Sequence, residues 1–292
     1  MAIVSVEEVG RGKALTRFLD VPQSLHGEDP RFVTPIQTWE RYRVARRNPY
    51  FERGDAGLFM AWRDARVVGR IAAHVAGGPA EHGGEGRFGL WATVDDAQVA
   101  GELLAAAAEW LREQGCDSVS GPWSFTAADE PGILTEGHAH VGTTGRPWGP
   151  AWEAERLVEA LGAGAEVVDE VRTWRLPVLG DGPVPEGGGP VPAQAGSYAD
   201  RRLALEAIGA VPDVSAVLRG SRLASAWSLA KQVRAADWEG CTVVRCEGDP
   251  SVEVPRLQRA AGAAGYSWVV APWCPGEGTA PETVHRRYRG PL

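Results

Sequence analysis

The chain has 292 residues, 44% of them hydrophobic and 23% charged, with a formal net charge of −8 and a pI near 5.4. That is the composition of a globular protein with one large core or two half-size units. The acidic balance argues against nucleic acid as a partner, and no apolar run approaches the roughly 20 residues that span a bilayer. The opening Met1-Ala2-Ile3-Val4-Ser5-Val6-Glu7-Glu8 lacks the basic head and long apolar stretch of a signal peptide, so the cytoplasm is the expected compartment. Cys116, Cys241, Cys246 and Cys274 fit that compartment as free thiols. None forms a C-x-x-C pair, and Cys241 and Cys246 face opposite sides of one expected strand, so no metal is expected. Arginine far exceeds lysine, and alanine, glycine and valine abound, as in a GC-rich genome such as an actinobacterial one. The 12 tryptophans are read as core and cleft-lining residues.

In chain order, a strand is expected over Ala2 to Val9, a helix through Leu15, Phe18 and Leu19, and a short helix from Gln37 to Arg46. Gly57 to Trp62 and Val67 to Val75 read as a hairpin around the tight turn Arg63-Asp64-Ala65-Arg66. A glycine-rich loop, Gly77 to Gly86, leads to a third strand, Phe88 to Val94. The clearest element is a helix from Asp96 to Gln114, with Val99, Leu103, Leu104, Ala107, Trp110 and Leu111 on one face. Gly115 ends it, and a strand from Asp117 to Gly121 follows. Helix then strand after a meander predicts an α/β fold with a mixed sheet. Proline and glycine crowd Leu179 to Ser197, which reads as a linker between residues 1–178 and 198–292. Beyond it, a helical region is expected from Val214 to Ala236, a strand from Cys241 to Cys246, a helix from Val252 to Ala264 ending at Gly265, and a strand from Tyr266 to Ala271. The order strand, helix, glycine, strand thus occurs twice and predicts a pseudo-repeat.

The hairpin arm Arg66-Val67-Val68-Gly69-Arg70-Ile71-Ala72-Ala73, the next strand, and the helix beginning Asp95-Asp96-Ala97-Gln98 resemble the middle of GNAT-type N-acyltransferases. The resemblance runs roughly from Phe18 to Pro177 and is nearer to a bacterial GNAT-like subfamily in which this helix leads into a Gly-Pro strand end and an Asp-Glu-bearing segment. Here that stretch reads Gly121-Pro122-Trp123-Ser124-Phe125-Thr126-Ala127-Ala128-Asp129-Glu130. The resemblance implies a GNAT-like fold, in two pseudo-repeated halves, and an acyltransferase-like activity. One feature departs from it. A working acetyl-CoA site of this family has a Gln/Arg-x-x-Gly-x-Gly/Ala loop whose amides hold the pyrophosphate at the helix start. Here the junction is Thr93-Val94-Asp95-Asp96, and the second half has Gly248-Asp249-Pro250-Ser251. Carboxylates at that place repel a pyrophosphate, so acetyl-CoA binding is expected to be weak or absent, and no other cofactor is implied.

Asp129 and Glu130 follow a strand end, where α/β sheets place sites, and paired carboxylates suit a general base or an amine-binding group. The plainer reading is a solvated acidic turn. Arg70, Ala72 and His74 share one strand face. His74 suits acid–base work and Arg70 suits an anionic group, the competing reading being an edge strand facing solvent. His138 and His140 lack a third metal ligand, and His140 is a candidate for lining a cleft. Trp123 and Ser124 are further substrate-binding candidates, Thr126 a weaker one, and Trp148 and Trp152 candidate pocket walls.

Three functions remain open at this point. The first is acyl or aminoacyl transfer to an amine-containing, amino-acid-derived substrate of bacterial natural-product biosynthesis, from a donor such as a carrier-protein thioester. The second is amine cyclisation with loss of a leaving group such as sulfate, giving a strained ring of the aziridine kind. The third is a non-catalytic subunit paired with an active homologue, in a hetero- or homodimer. Neither nucleic acid nor a membrane is an expected partner.

Overall fold

The computed structural model describes residues 3–10, 12–32, 37–78, 82–125, 130–140, 142, 147–177, 179, 223–228, 240–246, 255, 258–259, 268–272 and 281–292. The chain forms two compact units. One comprises Met1–Gly142, Arg146–Glu170 and His285–Leu292; the other comprises Thr143–Gly145 and Val171–Val284. The last strand of the chain is thus counted with the first unit.

The first unit begins with β1 (Val4–Glu8), α1 (Lys13–His26) and α2 (Gln37–Arg43). A single 3-10 turn over Pro49–Glu52 leads to β2 (Asp55–Arg63) and β3 (Arg66–Val75). β4 (Glu85–Thr93), α3 (Ala97–Glu113), β5 (Ser118–Gly121), β6 (Ile133–Glu136) and α4 (Ala151–Leu161) follow. β1 to β4 form an antiparallel meander. The β2–β3 turn falls on Asp64 and Ala65, both with positive φ, as a two-residue hairpin loop requires. β4 then pairs parallel with β5 across the α3 crossover, over Glu85–Ser118, Gly86–Val119 and Arg87–Ser120. β11 (Thr283–Pro291) pairs antiparallel with β5 and also pairs with β6.

α3 is the helix whose apolar spacing is plainest in the sequence. Val99, Ala100, Leu103, Leu104, Ala107, Ala108 and Leu111 are buried. They pack with Ile71, Ala73, Val75, Phe88 and Val119 of the sheet and with Leu157 and Leu161 of α4. Gly86 allows the close approach, because a Cβ there would lie 2.6 Å from a Leu111 methyl. The core therefore occupies one sheet face. On the other face stand Arg70, Ala72 and His74 of β3, since Ile71 and Ala73 point the opposite way. β3 is interior, flanked by β2 and β4, so this polar face is not a solvent-facing edge.

The second unit contains β8 (Leu223–Ser228), β9 (Gly240–Cys246) and β10 (Trp268–Pro272). β7 (Glu166–Pro177) crosses the boundary between units, and its segment Thr173–Pro177 pairs antiparallel with β10. β9 and β10 pair in parallel, as β4 and β5 do in the first unit. The two expected strand–crossover–strand segments therefore share one pairing. One expectation fails here: β8 is a strand inside the stretch Val214–Ala236, which reads as helical. Antiparallel pairing with β9 outweighs the helical propensity of an alanine-rich run. The linker expected at Leu179–Ser197 lies outside the described residues apart from Leu179. Among the described residues, no helix is long and apolar enough to cross a membrane.

Candidate active site

Where β4 leaves β5, the chain after β5 stays bonded to it. Regular pairing ends at Arg87. Trp123 N–H donates to Phe88 O at 2.8 Å, and Leu90 N–H donates to Ser124 Oγ at 2.9 Å and Glu130 Oε2 at 2.8 Å. Ser124 also donates its hydroxyl to Glu130. Leu90 has φ 49°, a left-handed conformation within β4, where the β3–β4 register also shifts. Gly89 is required beside it, because a Cβ there would fall on the Trp123 carbonyl and the Ser124 hydroxyl. Glu130 is thus a half-buried residue whose carboxyl is held by a kinked strand's amide and a serine. Burial pushes its pKa up, against the pull of the Arg43 guanidinium, the Ser124 and Leu90 hydrogen bonds and Arg70.

A second carboxyl, this one on a buried residue, belongs to the same neighbourhood. Glu153, in the first turn of α4, is 6% exposed and accepts a hydrogen bond from the Thr93 backbone. Burial raises its pKa to about 8, and Glu130 pushes in the same direction. His26 Nε2 of α1 is 4.0 Å from its Oε1. Burial lowers His26 to about 4, so the imidazole is neutral near pH 7 and the contact is not an ion pair. Phe32, Trp148 and Trp152 surround the His26 ring at centroid distances of 6.0, 6.2 and 6.4 Å. Trp148 is further fixed by donating to His138 O at 2.8 Å and by Arg31, stacked 4.6 Å from its ring.

The residues singled out by sequence separate here. Arg70 is 4% exposed and donates from Nη1 to Phe18 O at 3.0 Å. Pro22 lies inside α1 and has no N–H, which leaves that carbonyl without its helical donor. Arg70 supplies it, so its fork is turned to a helix backbone as well as toward the charges of Glu40 and Glu130. His74 is fully buried. Its Nε2 is 2.8 Å from Trp123 O, which only accepts, so Nε2 carries the proton. Nδ1 then accepts the Tyr50 hydroxyl at 2.7 Å. Both ring nitrogens are engaged and burial drives the pKa to about 3, so His74 is a neutral clamp rather than a base. Ser124 and Glu130 do meet, and His74 joins them through the Trp123–Phe125 segment. His140 lies in the turn after β6, its N–H on Gly137 O at 2.9 Å. Asp129 and Thr126 lie outside the described residues. Among the described residues no three His, Cys, Asp or Glu side chains group as metal ligands.

The start of α3 has its own carboxylates. Asp96 caps the helix, accepting from Gln98 N–H at 2.9 Å and Val99 N–H at 3.2 Å, and pairs with Arg63 at 2.7 Å. Asp95 pairs with Arg156 at 2.8 Å.

Comparison with known proteins bears on the family and the fold. Residues 23–125 match the acetyltransferase (GNAT) family. A protein of Caulobacter vibrioides named bacterial ceramide synthase is 34% identical over 140 residues, 47% of this chain and 36% of its own length. Protein YghO of Escherichia coli is 32% identical over 150 residues, 51% of this chain and 38% of its own length. The chain therefore spans well under half of these relatives. Among solved structures, a tandem GNAT protein from the clavulanic acid biosynthesis pathway superposes with a TM-score of 0.55, 12% identity, and coverage of 99% of this chain and 98% of that one. A glucosamine N-acetyltransferase region of a fungal multi-domain enzyme gives a TM-score of 0.54 at 13% identity, over 99% of this chain and 38% of that chain. At such identities these two likenesses speak to the fold, and the fold is GNAT.

Proposed function

We propose that this chain, with its GNAT-family domain at residues 23–125, is an N-acyltransferase acting on a long-chain amino alcohol or a related amine, with an acyl donor other than free acetyl-CoA. The observation that carries the reading is the carboxyl of Glu130, half-buried and held by the Leu90 amide and Ser124 at the kink of β4. Transfer of an acyl group to an ammonium substrate needs a group that accepts a proton as the C–N bond forms and the thioester C–S bond breaks. Glu130 is that group, and Ser124 and the Leu90 amide orient it. Glu153, with its pKa near 8, is a second proton site for the same cluster. The amine class comes from the relative named ceramide synthase.

The start of α3 supports the reading of the donor. A pyrophosphate needs free helix-start amides, but Gln98 and Val99 N–H already bond to Asp96. The residues present do not fit that group. A carrier-protein thioester, which needs no pyrophosphate grip at this place, suits the site better. The test offers sphingoid-type amino alcohols and short primary amines to the protein with acyl-carrier-protein thioesters, long-chain acyl-CoA or acetyl-CoA, and reads amide products by mass spectrometry. Amide from the carrier thioester with little from acetyl-CoA is expected. Faster turnover with acetyl-CoA would refute the donor assignment, and no amide from any pair would refute the reaction.

A further inference from the structure

We infer that Arg87, Trp123 and Arg287 form a binding site for a singly charged oxyanion, a carboxylate or a phosphodiester. The site would hold an anionic group of the acyl acceptor or of the thioester donor, so its biological use rests on the acyltransferase reading.

The placement begins with strand register. Arg87 of β4 stands opposite His74 on β3 and Ser120 on β5, so it belongs to the sheet face opposite α3. Its guanidinium carbon lies 3.9 Å from the Trp123 ring centroid, and that of Arg287 of β11 lies 4.5 Å from the same centroid. The two cations can be no farther apart than those distances combined, so both charges border the same indole. Like charges this close repel unless an anion offsets them.

The carboxylates nearby pair with the neighbouring arginines, Arg287 and Arg289, and Arg289 also lies 3.8 Å from Glu166. Arg287 pairs with Asp169. Glu85, whose charge Arg87 feels, accepts the Ser120 hydroxyl and pairs with Arg289 at 2.8 Å. Among the described residues Arg87 has neither a carboxylate nor a carbonyl partner, although it is half-buried. Two further donors beside it, Trp123 Nε1–H and Arg287 Nε–H, are buried without acceptors among the described residues. The cluster therefore offers N–H donors around Trp123 and, in Arg87, a guanidinium without an ion-pair partner among the described residues. A carboxylate or phosphodiester supplies the matching acceptors and a single negative charge. Arg70 looks in sequence like the anion-binding group, but its fork serves α1, and Arg87 takes that role.

The experiment measures binding without turnover, so its outcome is independent of the acyltransferase reading. Tryptophan indole N–H resonances are followed by nuclear magnetic resonance during titration with sodium acetate and, separately, sodium dimethyl phosphate, at ionic strength held constant with sodium chloride. The Trp123 signal is the one missing from Trp123→Phe. A saturable shift of that signal is expected with at least one probe, the tighter one identifying the anion class. Arg87→Gln should weaken it by about tenfold or more, the loss typical of a charge-assisted hydrogen bond. Arg87→Lys keeps the charge but loses the planar stack, and should also weaken it. A Trp123 shift no larger than sodium chloride alone produces, or equal in wild type and both arginine variants, overturns the proposal.

Discussion

Two pairs of acidic residues in the first unit do opposite work. Asp95 and Asp96 sit at the start of α3, partly exposed, and each faces an arginine, Arg156 and Arg63. The Arg63 hydrogen bond holds the Asp96 carboxyl below its usual pKa, with the helix-start amides adding to the effect. Glu153 lies inside and Glu130 is half-buried, and desolvation pushes both above the usual range. The first pair is a fixed anion that closes a helix. Glu153, lifted to about 8, exchanges protons near neutral pH, and Glu130 is shifted in the same direction. Residue type does not separate these roles; solvation and partners do.

The sharpest way to break the contrast is Glu130→Gln. Glutamine keeps an oxygen to accept from Leu90 N–H and Ser124, so the fold is expected to survive, with an unchanged melting temperature within a few degrees. Amide formation should fall by about 10²–10⁴-fold, the usual loss of a positioned base. Turnover within severalfold of wild type would return Glu130 to a structural role.

Much of this frame is legible in the sequence. The α3 spacing, the hairpin around Asp64 and Ala65, and the repeated parallel crossover all follow from local patterns that tertiary structure keeps. The pairing of Ser124 with Glu130 is near at hand too, since they are separated by six residues. What fails to show is anything that depends on depth. His74 reads as a titratable group because its alternation with Ile71 and Ala73 is visible, while Tyr50 and the Trp123 carbonyl, which silence it, come from distant segments. Arg70 reads as a free fork because nothing local says that Pro22 leaves Phe18 O in need of a donor. Glu153 carries a signal that the spacing rules do expose: it shares a helix row with Leu157 and Leu161, both buried. A carboxylate in an apolar row marks a buried acid. β8 shows the converse, a sequence with helical composition drawn into a strand by its neighbour.

Stability against pH tests the clamp. The folded His74 pKa is about 3 and the unfolded value 6.5, so the unfolded chain binds a proton first as pH falls. Its contribution is complete above 6.5 and is lost progressively down toward 3, at about 1.4 kcal/mol per pH unit. His26 acts in the same sense between 6.5 and about 4. Glu153 runs the other way, because its folded pKa of about 8 exceeds the unfolded 4.5, and stability declines as pH rises through that window. Urea unfolding of His74→Gln below pH 6.5 should show a pH slope smaller than wild type by about 1.4 kcal/mol per unit. Equal slopes would mean that His74 takes up a proton in the folded protein, and the clamp assignment would fail.

The smallest effect concerns the start of α3, and it sharpens the contrast from the other side. Asp96→Ala removes the acceptor for Gln98 and Val99 N–H together with the Arg63 pair, which should cost about 1–2 kcal/mol in chemical unfolding. Most of that loss belongs to the cap, because a partly exposed ion pair contributes about 0–1 kcal/mol. Two further substitutions separate charge from occupancy. Asp96→Asn removes the charge and keeps an acceptor over the same amides, while Asp96→Gly frees the amides and removes the charge. If occupied amides are what excludes a pyrophosphate, calorimetric titration with acetyl-CoA should show no gain for the asparagine variant and a measurable gain for the glycine variant. Repulsion by the carboxylate alone would instead make both variants bind better. Micromolar binding by the wild type would show that Asp96 does not exclude the donor at all, and the division of labour between the two acidic pairs would then rest on Glu130 and Glu153 alone.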